Sequence, residues 1–246
     1  MSEWNAELYD NKHNFVAEYG KGLLEFVSKN KTVLDLGCGT GILTAQLADF
    51  SKSVVGVDSS ENMIKKAENQ YRNIDFFVCD ALDLPFEKQF DVVFSNAVFH
   101  WINDHNRLLQ NIKKALKPGG MLICEFGAKG NIQIIENAFF TACKDLGYEF
   151  SPEFNFPTSE HFADLLKNNG FVTDKIYDYD RPTPLKDNEN GLANWIRQFF
   201  ASELEIMPLE MQNEIIKNTE NLTRKKLWNK TEWIADYRRL RAIAHI

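Results

Sequence analysis

The feature that most constrains this chain is a series of short apolar runs rich in β-branched and aromatic residues: Thr32 to Leu36, Ser53 to Val57, Ile74 to Val78, Phe90 to Ser95 and Met121 to Phe126. They are continuous and do not alternate with polar residues, which is the pattern of strands covered on both faces. Helical spacing occupies most of the intervals and follows the last run, at about Gly41 to Phe50, Ser60 to Tyr71, Asp104 to Leu116 and Ile132 to Leu146, while a loop joins the third run to the fourth. Strand, helix and strand in this order predict a parallel sheet with right-handed crossovers and helices on both faces. Pro118, Gly119 and Gly120 stop the helix ending at Leu116 and turn the chain into the fifth strand.

On the N-terminal side, Phe15, Val16, Tyr19, Leu23, Leu24, Phe26 and Val27 recur at helical spacing and predict a helix from about 12 to 28. Beyond Gly147 the prolines at 152, 157, 182 and 184 punctuate a different texture. Thr158 or Ser159 can cap a helix ending at Gly170, a strand is expected near Phe171 to Tyr179, and helices near Gly191 to Glu203 and Pro208 to Leu227. Tyr237 to Ile246 reads as a closing strand. The expected fold is therefore α/β: a Rossmann-like, seven-stranded, mostly parallel sheet with helices on both faces and a helical lid. Its divisions are an N-terminal helical cap over 1–30, a cofactor-binding core over 31–146, and lid helices plus closing strands of the same sheet over 147–246.

Charge and composition narrow the partners. The formal charge of -7 opposes phosphate backbones, so no nucleic-acid partner is expected. Lys and Arg nevertheless gather in residues 224 to 246, where an anionic small molecule can be attracted or a solvated face formed. No basic segment followed by an apolar one opens the chain, and Val92 to Phe99 is too short to cross a bilayer, which predicts a cytoplasmic protein with no membrane partner. Cys38, Cys79, Cys124 and Cys143 form no C-x-x-C pair and the histidines are dispersed, so neither a metal site nor a disulfide scaffold is expected.

The first strand runs into Asp35-Leu36-Gly37-Cys38-Gly39-Thr40-Gly41 and then directly into a helix. Glycines at such a bend let a ligand approach the backbone where a Cβ would intrude. A dinucleotide fingerprint requires G-x-G-x-x-G, but the position three after Gly39 is Ile42. The observed G-x-G-x-G, with Asp35 two residues upstream, suits a ligand bearing an amino acid and a nucleoside without a pyrophosphate. Asp58 ends the second strand, where an acid can accept both ribose hydroxyls, and Ser59 or Ser60 caps the next helix. Asp80 and Ala81 follow the third strand. The fourth leads through Asn96 to His100 and Trp101 at the switch point beside strand one, where open α/β sheets place their ligands.

The D-L-G-C-G-T-G segment resembles motif I of the class I S-adenosylmethionine-dependent methyltransferases. That resemblance implies that S-adenosylmethionine is the cofactor and S-adenosylhomocysteine the product. It implies further that Asp35 and the backbone of Gly37, Cys38 and Gly39 hold the methionine end, that Asp58 clasps the ribose with Ser59 beside the cofactor, and that Met63 packs on adenine, core packing being the other role open to Met63. On the same resemblance Asp80 and Ala81 would recognise the adenine amino group, with loop capping as the other role of Asp80, and Asn96 is expected near the sulfonium. A narrower resemblance rests on Trp4 with Tyr9, Thr40-Gly41-x-Leu43-Thr44-x-Gln46, Phe94 to Ala97, His100-Trp101, Leu116 to Gly120, and Glu125-Phe126-Gly127-Ala128-Lys129-Gly130-Asn131. These are similar to the trans-aconitate 2-methyltransferase-like family, which esterifies a carboxylate on a small polyacid. Glycine usually stands in that family where Ala128 is, and the C-terminal third matches loosely.

The expected partner is accordingly a small-molecule acceptor. Trp4, His100, Trp101, Arg197 and Arg239 are candidates for binding it, Arg181, Arg238 and Arg241 are further candidates for a carboxylate clamp, and Tyr9 is assigned to the cofactor. Trp4, Tyr9, Trp101, Phe154 and Phe156 can screen the reacting centre from water. His100 is the candidate catalytic base, with packing or loop anchoring as its other role. A carboxylate acceptor is already ionised at neutral pH and needs no base. Two other functions compete: an NAD-dependent oxidoreductase of related topology, against which the glycine spacing speaks, and a catalytically silent nucleoside-binding module.

Overall fold

The computed structural model describes residues 20, 22–150 and 154–246. Seven strands form one sheet in the order β3-β2-β1-β4-β5-β7-β6: β1 (Thr32–Leu36), β2 (Ser53–Asp58), β3 (Asp75–Val78), β4 (Phe90–Asn96), β5 (Leu116–Gly127), β6 (Val172–Pro184) and β7 (Ile234–His245). The pairs β1 with β2, β1 with β4, β2 with β3 and β4 with β5 are parallel, and β7 runs antiparallel to β5. The seven-stranded, mostly parallel sheet expected from the sequence is thus observed. Strand order reverses between β1 and β4, which puts the exits of both at the switch point. Of the helix expected over residues 12 to 28, residues 12–19 and 21 lie outside the described residues, and 20 and 22–24 are helical.

Continuous apolar runs are explained by burial on both faces. Leu34, Leu36, Val93, Leu122 and Cys124 face one cluster, with Leu108, Leu109 and Ile112 of α3 (His105–Ala115) and Phe162 and Leu166 of α5 (Ser159–Asn168). Val33, Val92, Phe94 and Ile123, of the opposite parity, face Leu23, Val27 and the Leu43 and Leu47 side chains of α1 (Ile42–Ala48). Each such side chain buried contributes ~1.5–3 kcal/mol, so exchanging one strand's register would cost the protein both cores.

The remaining helices are α2 (Glu61–Gln70), α4 (Gln133–Asp145), α6 (Gly191–Phe199), α7 (Ala201–Glu205) and α8 (Leu209–Leu227). Among the described residues two compact units are distinguishable, one of residues 20, 22–128, 154–178 and 239–246 and the other of 129–150 and 179–238. In the second unit α4 packs on α8, and Phe139 stacks on Phe200 with ring centroids 4.3 Å apart.

Three boundaries differ from the sequence reading. β6 continues through Pro182 to Pro184 because it is the edge strand, where a missing N–H breaks no central ladder. The Leu116 to Gly120 segment is strand and not only a turn: Gly119 N–H donates to the Ile246 carbonyl and Ile246 N–H to that of Gly120. The helix expected over Gly191 to Glu203 is two helices broken at Phe200, which is committed to the aromatic packing with Phe139 and Trp195.

Candidate functional site

The turn after β1 requires left-handed backbone at Gly37 and Gly39, with φ of 74° and 55°. The two glycines answer different needs. A Cβ on Gly37 would lie 2.1 Å from Val98 Cγ2 in the exit of β4, so only glycine lets these segments touch. A Cβ on Gly39 would meet nothing within 4 Å among the described residues, which leave that side of the turn open to a ligand. The Gly37 and Cys38 amides donate to the Val57 carbonyl at 2.7 and 2.9 Å, anchoring the turn to β2.

Two carboxylates flank the turn. Asp35 is buried, with 2% of its surface exposed, and its Oδ2 accepts the Thr44 hydroxyl from α1 at 2.6 Å. Burial raises its pKa to about 7, the Thr44 hydrogen bond opposes that rise, and the charge of Asp58 adds to it. Asp58 ends β2, accepting the Gly39 amide on Oδ2 and the Ser60 amide on Oδ1, both at 2.9 Å. Burial raises this pKa also, against the backbone hydrogen bonds that favour the ionised form. Asp58 therefore fixes the open glycine and the start of α2 together.

The exits of β3 and β4 complete the floor. Cys79 N–H donates to the Asp58 carbonyl at 2.9 Å, bringing the next residue, Asp80, beside β2. Asp80 Oδ1 accepts the Leu82 amide at 2.8 Å, and Ala81 is buried behind it. Ser60 caps α2 by accepting the Met63 amide, which leaves Met63 buried and Ser59 exposed. At β4, the Ser95 hydroxyl donates to the Leu36 carbonyl at 2.8 Å. Asn96 is half-buried, and a Cβ on Gly20 would sit 3.0 Å from its Nδ2. The structure thus brings Asp35, Gly37, Cys38, Gly39, Asp58, Asp80, Ala81 and Asn96 to one end of adjoining strands.

The buried His100 follows among half-buried aromatic side chains, its ring centroid 5.5 Å from Trp101, 6.1 Å from Phe154 and 5.7 Å from Phe156. Its Nδ1 accepts the Gly127 amide at 3.3 Å, so the neutral ring carries its hydrogen on Nε2. The opposite tautomer would set N–H against a buried N–H, at a cost of ~1–3 kcal/mol. Burial first, then the Arg239 guanidinium and the neighbouring His105 imidazole, hold the His100 pKa well below its ordinary value.

The arginines divide. Arg239, opposite Gly127 on β7, is buried and acts on His100. Arg241 is instead bound to the buried Glu125, Nε to Oε2 at 2.7 Å, with its Nη1 donating to the Gly22 carbonyl at 3.4 Å. Arg238 pairs with Asp180, Arg181 bonds Tyr179, and the exposed Arg197 donates to Asn213 Oδ1 at 2.7 Å. Trp4 and Tyr9 lie outside the described residues. The sequence reading missed the Asp35 to Thr44 bond and the Glu125 to Arg241 pair. The signal for the second was a lone acid within an apolar strand, which requires a buried partner.

Residues 34–124 match a family described as a methyltransferase domain, so the match spans the turn, Asp58, Asp80 and His100. Over 98% of its length the chain is 31% identical to an uncharacterized methyltransferase of Schizosaccharomyces pombe, 97% of which is covered. The chain belongs to the class I S-adenosylmethionine-dependent methyltransferases. Within this family it is 36% identical to a trans-aconitate 2-methyltransferase of Deinococcus radiodurans over 51% of the chain and 50% of that protein. Among solved structures, a Bacillus halodurans methyltransferase-like protein has the same fold, with a TM-score of 0.62 at 16% identity, covering 94% of this chain and 97% of that one. This methyltransferase uses S-adenosylmethionine as its cofactor. No helix among the described residues is long and apolar enough to cross a membrane.

Proposed function

We propose that this enzyme methylates a carboxylate oxygen of a small organic acid, with the cofactor held along the β1, β2 and β3 exits. The observation that carries the cofactor placement is the pair of acids at the ends of neighbouring parallel strands, Asp35 and Asp58, with the open side of Gly39 between them. The residues fit the group: the buried Asp35 suits an ammonium, Asp58 suits two vicinal hydroxyls, and Asp80 with the Ala81 amide suits an exocyclic amine and its ring nitrogen. Met63 supplies an apolar wall for the base, beside Ser59, and Asn96 borders the sulfur.

When bound, S-adenosylmethionine supplies an electrophilic methyl group, so that an oxygen lone pair of the acceptor forms the C–O bond while the S–C pair leaves with sulfur. The protein's task is then to orient the acceptor and exclude water, which the Trp101, Phe154 and Phe156 cluster supports. A carboxylate arrives ionised, so no residue need take a proton. Similarity to a trans-aconitate 2-methyltransferase over half the chain favours this acceptor class.

The test is an assay of S-adenosylhomocysteine release against small carboxylic acids, phenols and amines, with S-adenosylhomocysteine and NAD titrated side by side. Turnover confined to the acids is expected. Turnover confined to phenols or amines would reject the acceptor class, and tight binding of NAD alone would reject the cofactor placement.

A further inference from the structure

We propose that His100 is a fixed N–H donor to an oxyanion of the methyl acceptor, acting through Nε2 beside the buried Arg239, and that it takes no proton during the reaction. The proposal rests on the carboxylate reading above and adds the residue that recognises the acceptor. Three observations support it.

First, Nδ1 is occupied by the Gly127 amide, which makes Nε2 the hydrogen-bearing nitrogen of the neutral ring. Among the described residues no hydrogen bond to Nε2 is formed, although the ring lies at the exit of β4 where open α/β sheets hold their ligands. Second, the charged group that acts on the imidazole is the Arg239 guanidinium from β7, because burial keeps the neighbouring His105 of α3 from taking up a proton. That guanidinium opposes a positive charge on His100 and attracts a negative ligand beside it. A general base would gain a positive charge in this environment, whereas a donor stays neutral throughout. Third, Trp101, Phe154 and Phe156 wall the ring with apolar surface, where a hydrogen bond from Nε2 to an anion meets little competition from water.

The reaction balances without His100 changing its protonation. The carboxylate lone pair becomes the C–O bond, the S–C pair stays on sulfur, and the products are a methyl ester and S-adenosylhomocysteine. The Nε2 hydrogen orients one carboxylate oxygen so that the other meets the methyl carbon.

The decisive experiment is long-range 1H–15N NMR of the whole protein labelled at histidine, loaded with S-adenosylhomocysteine, with trans-aconitate as the probe and His100→Phe to assign the signal. Between pH 6 and 8, His100 is expected to be neutral and protonated on Nε2, and trans-aconitate should shift that nitrogen saturably. Kinetically, His100→Phe should raise the KM for trans-aconitate about tenfold or more with unchanged S-adenosylhomocysteine affinity, and His100→Gln, which restores a donor, should recover most of it. A cationic ring, a hydrogen on Nδ1, or no response to trans-aconitate in the loaded protein would overturn the proposal. Failure to bind S-adenosylhomocysteine would instead strike the cofactor placement, so the two failures are separable.

Discussion

Replacing Asp35 by Asn should stabilise the ligand-free protein above neutral pH, because the native carboxylate is buried where its charge is costly. Its pKa moves from an ordinary 3.8 to about 7 on folding. Above 3.8 the unfolded chain has released this proton while the folded one still holds it, so folding takes up a proton and stability falls as pH rises. The fall runs at ~1.4 kcal/mol per pH unit and levels off above about 7, amounting to about 4 kcal/mol in all. An Asn side chain keeps an oxygen for the Thr44 hydroxyl but carries no charge. Asp58 has a raised pKa of its own and remains in both proteins, so their difference reports Asp35. Urea denaturation at intervals from pH 4 to 8 should show equal stability at the acid end and the variant ahead by about 4 kcal/mol at pH 8. The same variant should bind S-adenosylhomocysteine more weakly, the cost accepted for placing an anion under the amino-acid end. A flat native profile with no gain in the variant would refute the account of Asp35.

Other perturbations test the framework. Gly37→Ala places a Cβ against Val98 at a left-handed φ and should cost ~2–4 kcal/mol in the same denaturation assay, of which adding Val98→Ala returns only the steric part. Arg241→Met removes the guanidinium that the buried Glu125 pairs with and should cost ~3–5 kcal/mol, whereas combining it with Glu125→Gln should recover most of the loss. With the cofactor saturating, kcat should be flat from pH 6 to 8, since His100 stays neutral there and a carboxylic acceptor stays ionised. A unit-slope loss toward acid would contradict that.

Much of this was legible from local chemistry. The strands β1, β2 and β4 declare themselves because both faces are buried, which forces continuous apolar runs, and the turn declares itself because three closely spaced glycines each take a left-handed φ. Asp58 was legible because it ends a strand. What the sequence hid depends on partners distant along the chain. Pro182 and Pro184 read as strand breakers until β6 is known to be an edge. Glu125 and Arg241 read separately as a motif residue and an acceptor clamp, yet the antiparallel register of β5 and β7 sets them opposite each other and they satisfy one another. The tautomer of His100 likewise depends on the Gly127 amide, which no local pattern announces.

The central claim, that the cofactor is clasped between the Gly39 turn and the acid ending β2, is tested most directly by calorimetric titration of S-adenosylhomocysteine into the native protein and Asp58→Ala. Loss of a charged hydrogen-bond acceptor for the ribose should weaken binding by ~1.5–3 kcal/mol, roughly ten- to a hundredfold in Kd. Equal affinity in the two proteins would contradict the placement.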